Sequence, residues 1–228
     1  MTTFQRARSE EQREIRRRAI LDTTAAMLDE MPVSEVSLNE LSRRVGLAKS
    51  NVLRYFESRE AILLELLDRA WKQWLAELSE QLAAEIDPHD PARERGDRLA
   101  ATLASSLAPH HVLCDLLSAQ ASVLEHNVSV EVVARHKRAT LDNLDGLIEL
   151  VRRHLPELGG DGAWKVAGMA LVVIGALWTH SRPSASVLAA YDADPALAAM
   201  RLDFTSILEE TLATLSTGIL ARQAATGT

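Results

Sequence analysis

Apolar residues recur along this chain at the three-to-four-residue spacing of helices. The alternation that marks a half-buried strand is nearly absent. Within residues 10–31, Ile20, Thr24, Met27, Leu28 and Met31 share one stripe, which predicts a first helix of about six turns ended by Pro32. "SLNE", residues 37–40, has the form of a capping box, with Ser37 and Glu40 each serving the other's amide. It opens a short helix carrying Leu38, Leu41 and Val45, which Gly46 stops. A third short helix is expected from about Ala48 to Phe56. Ser58 reads as the N-cap of a long fourth helix, with Leu63, Leu67, Ala70 or Trp71, Trp74, Leu78 and Leu82 on its stripe.

"DPHDP", residues 87–91, is a clear break. Beyond it, helical periodicity is expected over approximately 92–107, 109–126, 129–155, 161–181 and 196–222. Pro109, Ser129, Pro156 with Gly159 and Gly160, and Pro183 punctuate these segments. The expected class is all-α, with about nine helices. Residues 1–58 form an N-terminal part and 59–228 a C-terminal helical part.

Length and composition narrow the classes. The 228 residues, 47% hydrophobic and 25% charged, suffice for a well-buried core. Cys114 is the one cysteine, so no disulfide forms within the chain, and a reducing, cytoplasmic setting is expected. "MTTFQRARSEEQRE" has no apolar run of the signal-peptide kind. The most apolar stretch, 166–178, is shorter than the ~20 residues that span a bilayer, so a buried helix is expected there and no membrane partner.

The net charge of -7 argues against nucleic acid until its distribution is considered. Residues 1–60 hold eleven basic and ten acidic side chains, while the remainder holds fourteen and twenty-two. The first segment includes the run Arg16, Arg17, Arg18. A DNA-facing end on an acidic body is therefore permitted.

Residues 37–56 read as helix, glycine turn, helix, the order of a helix-turn-helix whose second helix enters the major groove. Val52 and Phe56 supply an apolar back that can pack on Leu41 and Val45. Lys49, Ser50, Asn51, Arg54 and Tyr55 supply a polar front. Lys donates to guanine O6 or N7 and Asn pairs with adenine, while Tyr, Ser and Arg donate to phosphates. Arg59 lies within reach of the same backbone, and the amides capped by Ser37 are ready anion donors. The spacing also suits a helical corner with a solvated face, as in a protein-protein adaptor that binds no DNA.

"RRRAILDTTAAML" (16–28) and "VSLNELSRRVGLAKSNVLRYFESREAIL" (36–63) resemble the TetR/AcrR family of bacterial transcriptional regulators. Val45-Gly46-Leu47 resembles the family's A-G-V, Tyr55-Phe56 its Y-F, and Ser58-Arg59-Glu60 its s-K-e. The resemblance covers roughly the first quarter of the chain. It implies an N-terminal three-helix DNA-binding domain followed by a helical ligand-binding and dimerisation domain. By residue, it implies DNA contacts at Ser37, Lys49, Ser50, Asn51, Arg54, Tyr55 and Arg59, with Phe56 in the core. Leu53 and Arg59 depart from the family's usual tyrosine and lysine, so the operator sequence cannot be borrowed from relatives.

The same resemblance implies a double-stranded DNA operator, a small-molecule effector and a homodimer through the last two helices. Gly168 and Gly175, seven apart, allow close helix approach. Phe204, Leu208, Thr211 or Leu212, Leu215 and Ile219 approximate a heptad seam. Trp71, Trp74, His110, Cys114, Leu117, His136, Thr140, Trp164, Met169, Trp178 and His180 are candidate pocket residues, each of which also reads as core. An apolar or aromatic effector is expected, because these helices offer no Lys or Arg cluster. His110 and Cys114, four apart, give only two ligands, so no metal is expected and no cofactor. No nucleophile elbow, phosphate loop, zinc motif or carboxylate pair suggests an enzyme; Asp142 and Asp145 read as solvated.

Overall fold

A computed structural model describes residues 3–226. Eleven α-helices and no strand occur among the described residues. They divide into two compact units, residues 1–69 with 119–138, and 70–118 with 139–228.

In the first unit, α1 (Thr3–Glu30) packs on α2 (Leu38–Val45), and α2 on α3 (Lys49–Val52). Ile20, Met27, Leu41, Val52 and Phe56 are buried there, together with Ile62–Leu64 at the start of α4 (Arg59–Glu85). Ser37 accepts from the Glu40 amide at 3.2 Å. The expected capping box is only half formed: the Glu40 carboxylate turns to Arg43 and Arg44. Gly46 ends α2 at φ 70°, a left-handed conformation that costs residues with a Cβ about 1–2 kcal/mol. Ser58 accepts from the Ala61 amide at 3.1 Å and so caps α4.

The third helix is shorter than its periodicity suggests. It ends at Val52 and tightens into i→i+3 bonds, Arg54 to Asn51 and Tyr55 to Val52. Phe56 thereby turns inward while Arg54 stays exposed.

The second unit contains the rest of α4, α5 (Ala92–Ser106), α6 (His111–Ala119) up to Ser118, most of α7 (Val130–His154), α8 (Gly159–Ser181), α9 (Ala185–Ala193), α10 (Pro195–Ala198) and α11 (Phe204–Thr226). The long α11 packs against α5 and α8. Arg95 is buried, donating to the Asp90 and His154 carbonyls and pairing with Glu157.

Two expected helix bounds need correction. The helix expected to 126 ends at Ala119 and widens into a π-turn over Gln120–Leu124, before α7. The last helix begins at Phe204, not 196, and α9 and α10 fill the interval. Their signals were local: Ser184 accepts from Val187, and Asp194 precedes Pro195 and accepts from Ala196.

The apolar run 166–178 lies inside a longer helix. With its preceding turn, Pro156–Ser181 is long and apolar enough to cross a membrane by length and composition. Only one face is buried, through Gly162, Ala163, Val166, Ala167, Ala170, Ile174 and Gly175. Trp164, Met169 and Val172 on α8 are 57%, 46% and 65% exposed.

A Cβ on Gly175 would stand 3.2 Å from the Leu117 carbonyl oxygen and 3.3 Å from Ser118 Cα, so α8 meets that chain backbone to backbone. Gly175→Ala is expected to cost about 1–3 kcal/mol by overpacking. Gly160→Ala, which meets nothing within 4 Å, should stay within about 0.5 kcal/mol of the parent. Thermal unfolding checks this; equal midpoints for the two variants would contradict the close approach.

Candidate nucleic-acid interface

The two ends of α3 open on different concavities of the first unit. One, of about 300 Å³, is lined by Ser34, Val36, Ser37, Leu38, Asn39, Lys49, Arg59 and Glu60. It brings together Ser37, Lys49 and Arg59, three of the expected DNA contacts. The other, of about 620 Å³, is lined by Gln12, Arg13, Ile15, Arg16, Ala19, Arg54 and Tyr55. It brings together Arg54 and Tyr55 and adds residues of α1. Ser50 and Asn51 are exposed on α3 itself.

The same side chains are not equally available. Lys49, Ser50, Asn51 and Arg54 are exposed, whereas Tyr55 is half-buried. Arg59 is committed to the fold: its guanidinium donates to the Val36 carbonyl at 3.0 Å and pairs with Glu60 at 3.1 Å. It stiffens the start of α4 against the turn before α2. The Ser37 hydroxyl is likewise engaged at the cap.

Two anchors hold α3 that local sequence patterns do not announce. Arg17 donates to the Tyr55 carbonyl at 2.6 Å, pairs with Glu65, and lies 4.3 Å over the Phe56 ring. Glu57 accepts from the Ser129 amide at 2.6 Å and its hydroxyl at 2.8 Å. These bonds hold the Glu57 carboxyl below its ordinary range. Ser129 also caps α7, accepting from Val132. The residues joined are far apart in sequence, so only the arginine run gave any signal.

Arg43 and Arg44 of α2 both hold Glu40, whose carboxyl falls to about 2 through hydrogen bonds to them. Arg44 also pairs with Glu30. These charges are spent within the unit.

The expected ligand residues do not form one group. His136 belongs to the first unit, and Trp71, Trp74, His110, Cys114, Leu117, Thr140, Trp164, Met169, Trp178 and His180 to the second. Trp164 and Met169 stand on an exposed helix face and His180 is exposed, so none of these three is enclosed within that unit. The Trp74 indole donates to Ser106 at 2.9 Å, and Trp178 to Asp115 at 2.6 Å with Phe204 edge-on at 5.0 Å. His110 bonds Glu77 at 2.9 Å. Burial pushes the Cys114 thiol up to about 12, which keeps it neutral and apolar. Trp71 differs: it is 2% exposed and its indole nitrogen has no hydrogen-bond partner.

Sequence comparison places these features. A family model described as "Bacterial regulatory proteins, tetR family" matches residues 20–66, and one described as "Tetracyclin repressor-like, C-terminal domain" matches 68–223. The chain belongs to the TetR family of bacterial regulators. Among curated TetR-family relatives, the HTH-type transcriptional regulator EthR of Mycobacterium tuberculosis (strain ATCC 25618 / H37Rv) is 38% identical over 76 residues, 33% of this chain and 34% of that protein. EthR of Mycolicibacterium smegmatis is 35% identical over 78 residues, 34% of this chain and 35% of that one. The chain therefore matches about a third of the length of these relatives.

Among solved structures, the fatty acid degradation regulator FadR from Bacillus halodurans superposes with a TM-score of 0.55 at 14% identity, covering 89% of this chain and 95% of its own. FadR from Bacillus subtilis, in complex with stearoyl-CoA, gives 0.54 at 14% identity, covering 88% and 97%. These likenesses show the shared all-α fold.

His136 carries a pH consequence. It is 6% exposed, neither ring nitrogen makes a hydrogen bond, and Glu125 stands 3.8 Å from Nε2. Burial lowers its pKa; the Glu125 and Asp68 charges oppose that shift and Lys137 adds to it. The unfolded chain then takes up a proton more readily than the folded one, so stability falls as pH drops below about 6.5. His136→Gln should show less loss of melting temperature between about pH 7 and pH 5.5 than the parent. Parallel curves for the two proteins would assign the burial effect to other groups.

Proposed function

We propose that this TetR-family regulator is a homodimeric repressor that binds a palindromic double-stranded operator through α2 and α3. A small, largely apolar effector bound in the second unit releases it. The observation that carries the DNA reading is the division of α3 and the turn after it: Val52 and Phe56 are buried, while Lys49, Ser50, Asn51 and Arg54 face out. Early positions of such a helix meet base edges and its flanks meet phosphates. Ser37 and Arg59, already bound within the unit, contribute chiefly by holding α2 and α4 in place beside Lys49.

The dimer reading is supported by the exposed apolar face of α8, with Trp164, Met169 and Val172, and by exposed Ile207 on α11. Gly168 and Gly218 leave open space on the same two helices. Two copies would enclose these faces in a four-helix packing. Trp164 and Met169, first expected to line a pocket, serve this interface. The effector reading is supported by the buried Trp71 indole, which lacks an acceptor. A molecule that is apolar apart from one acceptor would satisfy it. Effector must bind the DNA-incompetent form more tightly, since equal affinity shifts no population. The helix α4 extends from the Ser58 cap to Trp71 and Trp74, and so gives the effector a covalent route to the reading head.

Binding to a duplex selected from a random-sequence library tests the DNA reading. Asn51→Ala should cost about 1–3 kcal/mol and relax preference at one base pair. Lys49→Ala should weaken binding with unchanged melting temperature. Parent-like affinity and specificity in both variants would remove α3 from the interface. A parent that selects no duplex, or binds without salt dependence, would favour the adaptor reading instead.

Sedimentation tests the interface. Val172→Asp buries a charge in the proposed dimer and should yield monomer with weakened operator binding. A parent that sediments as monomer would refute this part of the proposal.

A further inference from the structure

Arg13 and Arg16 lie on α1, outside the helix-turn-helix, yet they open on the same 620 Å³ concavity as Arg54 and Tyr55. Three guanidinium groups line this space and no carboxylate does. Glu10, Glu11 and Glu14 belong to the same stretch of α1 but are absent from the lining. Successive residues of a helix are about 100° apart, which places Glu11 and Glu14 on the side away from Arg16.

The neighbouring Arg17 shows what a structural arginine does here. It reaches the Tyr55 carbonyl, pairs with Glu65 and covers Phe56. Arg13, Arg16 and Arg54 are exposed, and none has an ion-pair partner among the described residues. Three like charges held at one opening repel one another unless an anion joins them. The guanidinium fork matches two oxygens of a phosphate, and Gln12 and Tyr55 belong to the same lining.

We propose that this concavity is a backbone clamp that takes a phosphodiester of duplex DNA, with Arg13 and Arg16 gripping the strand beside the half-site that α3 reads. The inference rests on the DNA reading above and extends the contact surface from α3 onto α1. Phosphate contacts fix position without reading sequence. The clamp therefore adds salt-dependent affinity and leaves base preference unchanged.

The test measures affinity of the full chain for the duplex that the parent selects, from roughly 50 to 200 mM salt, with hydroxyl-radical footprinting. Arg13→Ala with Arg16→Ala should reduce the slope of log affinity against log salt by about 1–2 per half-site, since each neutralised phosphate contributes about 0.9. Protection of the backbone flanking each half-site should disappear, and the base preference should stay the same. Arg13→Lys with Arg16→Lys should restore most of the slope. Both positions are exposed, so melting temperature reports whether either double variant is folded. An alanine double variant that melts like the parent with parent slope and footprint overturns the clamp while leaving the DNA reading intact. A changed base preference would likewise overturn it, by assigning these arginines to base readout. A parent that selects no duplex overturns both.

Discussion

Arg17 is the interaction on which the arrangement of the first unit depends. Its guanidinium joins three segments at once: α1, which carries it; the end of α3, through the Tyr55 carbonyl and the Phe56 ring; and α4, through Glu65. The ion pair is partly solvated, with side chains 22% and 31% exposed, so its Coulomb contribution is small. Its geometric effect is larger. By taking the Tyr55 carbonyl, Arg17 fixes the turn after the four-residue α3, a helix too short to hold its own direction. The orientation of Arg54 and the burial of Phe56 follow from that turn.

The other constraints on this unit act at element ends. Gly46 takes the left-handed conformation that lets α3 turn off α2. Ser37 and Ser58 cap α2 and α4, and Glu57 ties the chain after α3 to the cap of α7 at Ser129. Each of these groups limits how far the exposed donors of α3 can wander. Arg59, a basic residue near α3, points its hydrogen bonds inward.

In the second unit several polar groups that helix packing buries find partners, while Trp71 Nε1, Asp90 Oδ2 and His154 Nε2 have no hydrogen-bond partner. Trp74 has Ser106, Trp178 has Asp115, and Arg95 has two carbonyls and Glu157. The Trp71 indole is unanswered, and burying such a donor costs about 1–3 kcal/mol. The proposed effector, bearing an acceptor, would relieve that cost. The apolar surface of α8 is likewise left uncovered within one chain, at Trp164, Met169 and Val172. In the proposed function, an effector and a second copy of the chain would each complete what a single chain leaves unsatisfied.

The sequence by itself determined the all-α class, the caps at Ser37 and Ser58, the stop at Gly46, and the inward Phe56 with outward Lys49, Asn51 and Arg54. All of these follow from interactions within a few residues, where periodicity and side-chain chemistry are legible. It overreached at Glu40, because nearby Arg43 and Arg44 competed for the carboxylate that a capping box requires. It missed α9 and α10, where short helices leave too few residues for a period to emerge. Tertiary structure alone decided that Arg17 reaches Tyr55 and Glu57 reaches Ser129, that Arg13 and Arg16 share a concavity with Arg54, and that Trp164 faces out while Trp71 faces in. An apolar side chain at helical spacing looks the same whether its face meets a core, a ligand or a partner. Only packing assigns the face.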